Sequence, residues 1–247
     1  MASSDGLALH MSLPAIRLGG RAILGAARLD VAAGRLTALL GPSGVGKSTL
    51  LRLLAGLLPL PPGARVTTGD GRPLQGRVAW MGQQDLLLPW LDLIGNVALG
   101  ARLRGERPDL DRARALIAAV GLAGREGARP AQLSGGMRQR AALARTLMED
   151  RPIVLMDEPF SAVDAPTRHR LQGLAAGLLR GRTVLLVTHD PLEALRLAHR
   201  ILVLRPAPDG AVAEEQPMPP GEPLRPAHEP AVLAAQAALL ERLAEAA

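Results

Sequence analysis

Apolar residues in this chain fall into short runs, and each leads at once, or after a single threonine, into glycine, acid or histidine. Leu36 to Leu40 ends at Gly41, Ile153 to Met156 ends on Asp157-Glu158, and Thr183 to Val187 leads into Thr188-His189-Asp190. Runs of this length, interrupted by no more than one threonine, predict strands buried on both faces, as in a parallel sheet covered by helices. Arg77 to Met81 predicts a further strand, running into Gly82-Gln83-Gln84. Between these runs lie helical patterns. Ser48 to Leu58 is leucine-rich and reads as a buried helix stopped by Pro59 to Gly63. From Asp109 to Val120 apolar residues recur at helical spacing, followed by Gly121, Gly124 and Gly127, and Leu133 to Leu147 reads as a turn and then a helix. The class is α/β.

The helix after Val187 has a clear start. Asp190 is placed to cap it, Pro191 suits its first position, and Glu193 completes a box-like D-x-x-E arrangement. His189 is thereby left on the loop between strand end and helix start, where open α/β sheets place ligand-binding groups. His10, His169, His199 and His228 have no such context.

Residues 85 to 130 form a helical insertion between two parts of the core, and with the helix that follows they make a helical subdomain of about 85–150. Residues 1–204 make up the main domain. Beyond Leu204 the composition turns to proline, alanine and acid, with eight prolines among residues 206 to 230, which predicts an extended linker. Val232, Leu239, Leu240 and Leu243 then mark a short C-terminal amphipathic helix within 205–247, expected to rest on its own domain.

One segment carries a specific chemistry. Gly41-Pro42-Ser43-Gly44-Val45-Gly46-Lys47-Ser48 matches the G-x-x-x-x-G-K-[ST] pattern of a phosphate-binding loop, and it sits between a predicted strand and a predicted helix, as the pattern requires. Lys47 is the only lysine of the chain; every other long basic side chain is arginine. A compact ammonium fits under a phosphate already wrapped by backbone N–H groups, whereas the planar guanidinium is too broad. The helix start adds its own free N–H groups and positive dipole end. Asp157 and Glu158, ending a buried strand, supply the carboxylate pair a Mg-nucleotide site needs: one to hold the metal through water, the other to orient or deprotonate the attacking water.

Composition narrows the classes. The net charge of +6 comes from arginines scattered among acids. With two tryptophans, one phenylalanine and no tyrosine, few rings could stack on bases, so nucleic acid is not the expected partner. The absence of cysteine removes disulfides, thiolate metal sites and a cysteine nucleophile, and fits a reducing compartment. The start Met1-Ala2-Ser3-Ser4-Asp5-Gly6 has no basic n-region or apolar h-region. The most apolar stretch, Leu50 to Leu60, is interrupted by Arg52 and Gly56 and is too short to span a bilayer. Membrane association is therefore expected only through a partner.

In order along the chain stand the loop at Gly41, Gln83 after a strand, Leu133-Ser134-Gly135-Gly136-Met137, the strand ending in Asp157-Glu158-Pro159, Ser161-Ala162-Val163-Asp164, and His189. Together these resemble the ATP-binding subunit of an ATP-binding-cassette (ABC) transporter, over roughly residues 7 to 204. The resemblance implies a P-loop NTPase core carrying an ABC-type antiparallel β subdomain as well as the helical one. It also implies a homodimer closing on two ATP molecules, each held by the loop of one subunit and the Ser-Gly-Gly signature of the other. On this basis Gly41, Pro42, Ser43, Gly44, Val45, Gly46, Lys47, Ser48 and Thr49 would surround the phosphates, and Ser48, Gln83 and Asp157 would serve Mg²⁺. Glu158 would be the general base, with Gln83 near the attacking water and His189 on the γ-phosphate. Ser134, Gly135 and Gly136 would meet the opposite subunit's ATP, and Asp164 would lie across the dimer interface.

The implied function is ATP hydrolysis that powers solute import through separate permease subunits and a solute-binding protein. The chain would then lie peripherally on the cytoplasmic face of the inner membrane. Leu88-Pro89-Trp90 is similar to a segment in importers of nitrate, taurine, sulfonates and thiamine precursors, and marks the expected permease contact. A soluble cassette ATPase outside transport, or an exporter ATPase, is the alternative. Two positions depart from the family pattern: Leu18 or a neighbour stands where an aromatic usually stacks on adenine, implying weaker preference for ATP over GTP, and Met137 stands where glutamine is frequent.

Overall fold

The computed structural model describes residues 6–18, 20–161 and 163–246, without the side chains of Leu18 and Arg21. Its centre is a six-stranded sheet in the order β11-β10-β5-β9-β8-β7. The strands are β5 (Leu36–Leu40), β7 (Val78–Met81), β8 (Ile153–Asp157), β9 (Thr183–Val187), β10 (Arg200–Arg205) and β11 (Val212–Gln216). All neighbouring pairs are parallel except β10 with β11. Every residue of β5, β8 and β9 is buried, because both faces of the sheet are covered.

The two faces are covered differently. Ala38, Leu40, Val154, Met156, Val184 and Leu186 point into a core shared with the helices of the insertion and the C-terminal half. Leu39, Ile153, Leu155, Leu185 and Val187, the alternate residues, point into a second core with the helix after the phosphate loop and an antiparallel layer. That layer comprises β1 (Leu9–Leu13), β4 (Ala27–Val31) and β6 (Arg65–Thr68) in the order β4-β1-β6, beside the two-stranded β2 (Ile16–Leu18) and β3 (Arg21–Leu24). On β1 the pattern alternates, Leu9, Met11 and Leu13 inward and His10 and Ser12 outward, as expected of a sheet with one wet face.

The predicted helix from Ser48 is α1 (Lys47–Leu54), which ends four residues before the end of the leucine pattern at Leu58. Gly56, at φ 72, terminates it, and the N–H of Leu57 closes back on Arg52 O at 2.9 Å. A glycine in left-handed conformation just past the last turn ends a helix whatever the apolarity beyond it.

Between β7 and β8 the insertion is helical: α2 (Leu93–Val97), α3 (Leu99–Leu103), α4 (Leu110–Ala119) and α5 (Gly135–Met148), with a single 3-10 turn at Pro130–Gln132. Asp92, Asp109 and Ser134 cap α2, α4 and α5 through their side chains. After β8 come α6 (Ala165–Leu178), α7 (Pro191–Leu197) and α8 (Pro230–Glu245).

The stretch expected to be an extended linker behaves otherwise in one part. Val212–Gln216 pairs antiparallel along β10, Val203 opposite Glu214, so the proline-rich segment returns to the sheet before α8. Its prolines flank the strand, where no ladder N–H is needed. Arg225 then ties the segment down. Buried, it donates to Leu195 O and Ala198 O at the end of α7 and to Pro220 O and Gly221 O of its own segment. Helix α8 lies against α7, with Val232 and Leu239 buried.

Candidate functional site

The site forms at the carboxyl ends of β5, β8 and β9, where three loops converge. The first loop leaves β5 at Gly41. Pro42 is half-buried, Ser43 and Gly44 are the exposed tip, and Val45 turns down into the core. Gly46 precedes α1 at φ 107, and a Cβ there would stand 2.7 Å from Ile23 Cγ2, so only glycine lets the loop enter the helix at this point. Lys47 is buried in the first turn. Its Nζ donates to Gly41 O at 2.7 Å and Pro42 O at 2.9 Å, which curls the loop around the ammonium. Burial holds its pKa below that of an ordinary lysine, with the Glu158 and Asp157 charges pulling it back up. A buried cation in the first turn of a helix, where the leading N–H groups have no partner within the helix, is suited to an anion.

The second loop leaves β8 at Asp157. Ser48 Oγ donates to Asp157 Oδ1 at 3.0 Å, joining the residue after the lysine to the end of the strand. Burial raises the Asp157 carboxyl above its ordinary value, opposed by the Ser48 hydrogen bond and assisted by the charge of Glu158. A hydroxyl and a carboxylate side by side are hard oxygen donors. Among the described residues no group of three or more His, Cys, Asp or Glu side chains is arranged to hold a metal. That combination fits Mg²⁺, which keeps several waters and is completed by substrate phosphate oxygens rather than by a protein cage.

Glu158 has φ 47, a left-handed conformation uncommon outside glycine, and its N–H donates to Val187 O at 2.9 Å. The Ser161 hydroxyl donates to its carbonyl at 3.0 Å. These contacts turn the side chain away from the strand direction and into a cleft. There Glu158 Oε2 lies 3.3 Å from Gln83 Nε2, at the end of β7, and 3.1 Å from His189 Nδ1, on the third loop after β9. Gln83, Glu158 and His189 thus meet on one carboxylate oxygen. The cleft they line, with Asp85, Gly135 and Arg138, has a volume of about 770 Å³.

The remaining expected residues lie around this centre. Ser134 Oγ accepts from Met137 N at 3.3 Å, and Gly136 packs near Thr167 and Val163, on either side of Asp164. Asp164 caps α6 by accepting from Thr167 N at 3.0 Å, a bond that lowers its pKa. The Ser-Gly-Gly stretch and the Asp164 turn are therefore adjacent, and both sit at helix starts. Thr49 is half-buried in the first turn of α1. Ala162 and the Leu18 side chain lie outside the described residues.

One local expectation is corrected. Asp190 does cap α7, accepting from Leu192 N at 2.9 Å and Glu193 N at 3.3 Å, but the box does not close. The Asp190 N–H donates to Thr188 Oγ1 instead, and Glu193 is buried against Gln172 Nε2 of α6 at 3.2 Å. Other contacts escape the motif reading altogether. From α5, Gln139 donates to Pro159 O, and Arg138 and Arg145 reach the segment after Gln83. Polar side chains recurring on an otherwise apolar helix were the available signal.

Comparison with known proteins identifies the family. Residues 24–161 match the family model described as "ABC transporter". The chain is 46% identical over 226 residues to the aliphatic sulfonates import ATP-binding protein SsuB of Delftia acidovorans, covering 91% of this chain and 89% of the relative. It is 44% identical over 219 residues to the taurine import ATP-binding protein TauB of Yersinia pestis bv. Antiqua, covering 83% and 85%. A solved dimeric structure of a post-hydrolysis state of an ATP-binding cassette, bound to ADP and Pi, superposes with a TM-score of 0.70 at 29% identity, covering 88% of this chain and 99% of that one. Strand-end carboxylates, phosphate loop and signature stretch thus occur together in a chain that belongs to the ABC transporter ATP-binding family.

Proposed function

We propose that this chain hydrolyses ATP to power uptake of a small solute through separate permease subunits, with two copies closing on two nucleotides. The observation that carries this reading is the convergence of Gln83 and His189 on Glu158 Oε2 beside the Ser48–Asp157 pair. In this reading the phosphate loop and Lys47 hold the ATP phosphates, and Ser48 and Asp157 hold Mg²⁺ with its waters. The metal supplies charge stabilisation to the transferring phosphoryl group. Glu158 takes the proton of the attacking water, Gln83 orients that water, and His189 contacts the γ-phosphate while steadying the Glu158 carboxylate. Ser134, Gly135 and Gly136, at the N-terminus of α5, present N–H groups to the ATP of the opposite copy. ATP then bridges two half-sites, so closure is stabilised only while the γ-phosphate remains, and hydrolysis reopens the dimer.

Import is supported by relatives named as sulfonate and taurine import ATP-binding proteins. Those names bring a sulfonate-type organic anion to this chain as the solute class, with selectivity residing in the permease and a solute-binding protein. No helix of the described residues is long and apolar enough to cross a membrane. Leu86 and Trp90, 50% and 67% exposed beside the cleft segment, are apolar groups suited to a permease contact on the cytoplasmic face of the membrane. The test is affinity capture of the protein from detergent-solubilised membranes of its native host, with ATP hydrolysis assayed on the recovered complex. Recovery of a multi-span permease is expected. Recovery of soluble partners alone, with hydrolysis intact, would replace transport by a soluble cassette ATPase.

A further inference from the structure

Arg138 and Arg145 stand seven residues apart on α5, on one face of the helix that begins with the Ser-Gly-Gly stretch. Both reach Asp85 in the chain leaving β7, and Arg145 reaches Leu86 as well. Arg138 Nε donates to Asp85 Oδ2 at 3.0 Å while its own Nη1 holds Leu133 O at 2.9 Å, just before the stretch. Arg145 forks onto consecutive carbonyls, Asp85 O at 2.6 Å and Leu86 O at 2.8 Å. The other oxygen of Asp85 accepts from Leu87 N at 3.1 Å. Leu86, between these bonds, is held at φ 48, a conformation that persists in a non-glycine residue only where its surroundings fix it.

The anchoring continues downstream. Asn96 of α2, fully buried, accepts from Leu88 N at 2.7 Å and donates to Leu88 O and Leu91 O at 3.1 and 3.2 Å. From Asp85 to Leu91, then, the chain is bonded to side chains of the helical subdomain. Gln83, two residues earlier, is bonded to Glu158 of the core. The change of allegiance occurs at Gln84.

We propose that Arg138 and Arg145 are positioning residues for ATP hydrolysis, fastening Asp85–Leu86 to α5 so that the segment directly after Gln83 moves as one body with the Ser134–Gly136 stretch and pulls on the Gln83 amide held at Glu158. Displacement of the permease-facing Leu86 would then alter both the water-orienting amide and the surface offered to the second nucleotide. Arginine is required at 145 because a lysine ammonium cannot span two successive carbonyls in one plane. The proposal rests on the ATPase reading above.

The experiment uses the full chain, comparing steady-state ATP hydrolysis, ATP affinity and thermal unfolding for Arg145→Lys, and for Arg138→Gln and Asp85→Asn singly and together. A positioning role predicts that Arg145→Lys lowers kcat about tenfold while ATP affinity and unfolding temperature hold. It also predicts that Arg138→Gln and Asp85→Asn together lose no more than the worse of the two alone. Undiminished kcat in Arg145→Lys overturns the clamp, as does a parallel fall of kcat, affinity and unfolding temperature in every variant. Absence of hydrolysis in the unaltered chain overturns the ATPase reading and the clamp with it, so the two failures are distinct.

Discussion

Ser48 Oγ donates to Asp157 Oδ1 at 3.0 Å across 109 residues of chain, and this bond joins the phosphate loop to the strand-end carboxylates. Burial, assisted by the Glu158 charge, pushes the Asp157 carboxyl up, so the site gains by placing a cation or a donor beside it. Asp157→Asn keeps the shape and an oxygen for Ser48 but removes the charge. The variant should bind ATP like the unaltered chain in EDTA, and lose the increase in affinity that MgCl₂ confers. Its hydrolysis should fall at least about a hundredfold. Equal Mg²⁺ enhancement in both proteins, by equilibrium titration, would remove Asp157 from the metal site.

Glu158 is the carboxylate on which Gln83 and His189 meet, and its left-handed backbone aims it into the cleft. Replacing it with Gln preserves the size and an acceptor oxygen while abolishing proton uptake. Hydrolysis should drop by about 10²–10⁴-fold, the usual range for a lost general base, with ATP binding retained. Size-exclusion chromatography in Mg-ATP should show the variant accumulating as dimer. Turnover matching the unaltered chain would exclude the base role.

Much of this site was legible in sequence because each part is local. A glycine loop between strand and helix, or two acids ending an apolar run, carries its geometry in consecutive residues. The buried strands β8 and β9 were likewise visible as uninterrupted apolar runs. Three things were not legible. The end of α1 is set by one positive-φ glycine rather than by hydrophobicity. The return of Val212–Gln216 to β10 is a long-range pairing hidden by surrounding prolines. Arg138 and Arg145 belong to no local motif, and their partners in the Asp85–Leu86 segment come beside them only on folding, 53 residues away in the Asp85–Arg138 pair. The strands before the phosphate loop show only in the alternation of Leu9, Met11 and Leu13, which says nothing of their partners.

Asp150, joining α5 to β8, bonds Arg112 of α4 at 2.9 Å and the buried Arg182 before β9 at 2.8 Å, tying the helical subdomain to the core. These hydrogen bonds, Arg112's foremost, pull its pKa from 3.8 to about 2. A carboxylate depressed on folding stabilises the native state above its unfolded pKa, and that contribution disappears as pH falls through the folded value. Asp150→Ala should cost about 2 kcal/mol at neutral pH, discounted for partial exposure of the carboxylate. The difference in unfolding free energy between variant and unaltered chain should then shrink between about pH 4 and 2. Denaturant titrations at pH 7 and at acid pH measure both, and a difference independent of pH would contradict the assignment.

Glu193 offers the opposite sign. It is 4% exposed on α7, faces Gln172 and Arg168 of α6, and lies near Thr188 and the Asp190 cap; Arg196, from its own helix, bonds the other end of Gln172. Burial pushes its carboxyl from 4.5 up to about 7, against the hydrogen bonds of Thr188 and Gln172. An acid whose pKa is raised on folding holds its proton longer in the native state than in the unfolded chain. Stability therefore declines as pH rises from about 4.5 to about 7, by on the order of 3 kcal/mol if no compensating movement occurs. Glu193→Gln keeps the volume and an acceptor for Gln172 Nε2 but has no charge to bury. The variant should match the unaltered chain near pH 5, exceed it in stability at pH 8, and flatten the slope between. The pocket behind His189 is lined by Glu193 and Glu158, so the same variant also tests whether this buried acid influences catalysis. A stability gain at pH 8 with kcat unchanged confines Glu193 to the packing of α6 on α7, whereas a shifted pH profile of kcat connects its proton to the Glu158 carboxylate.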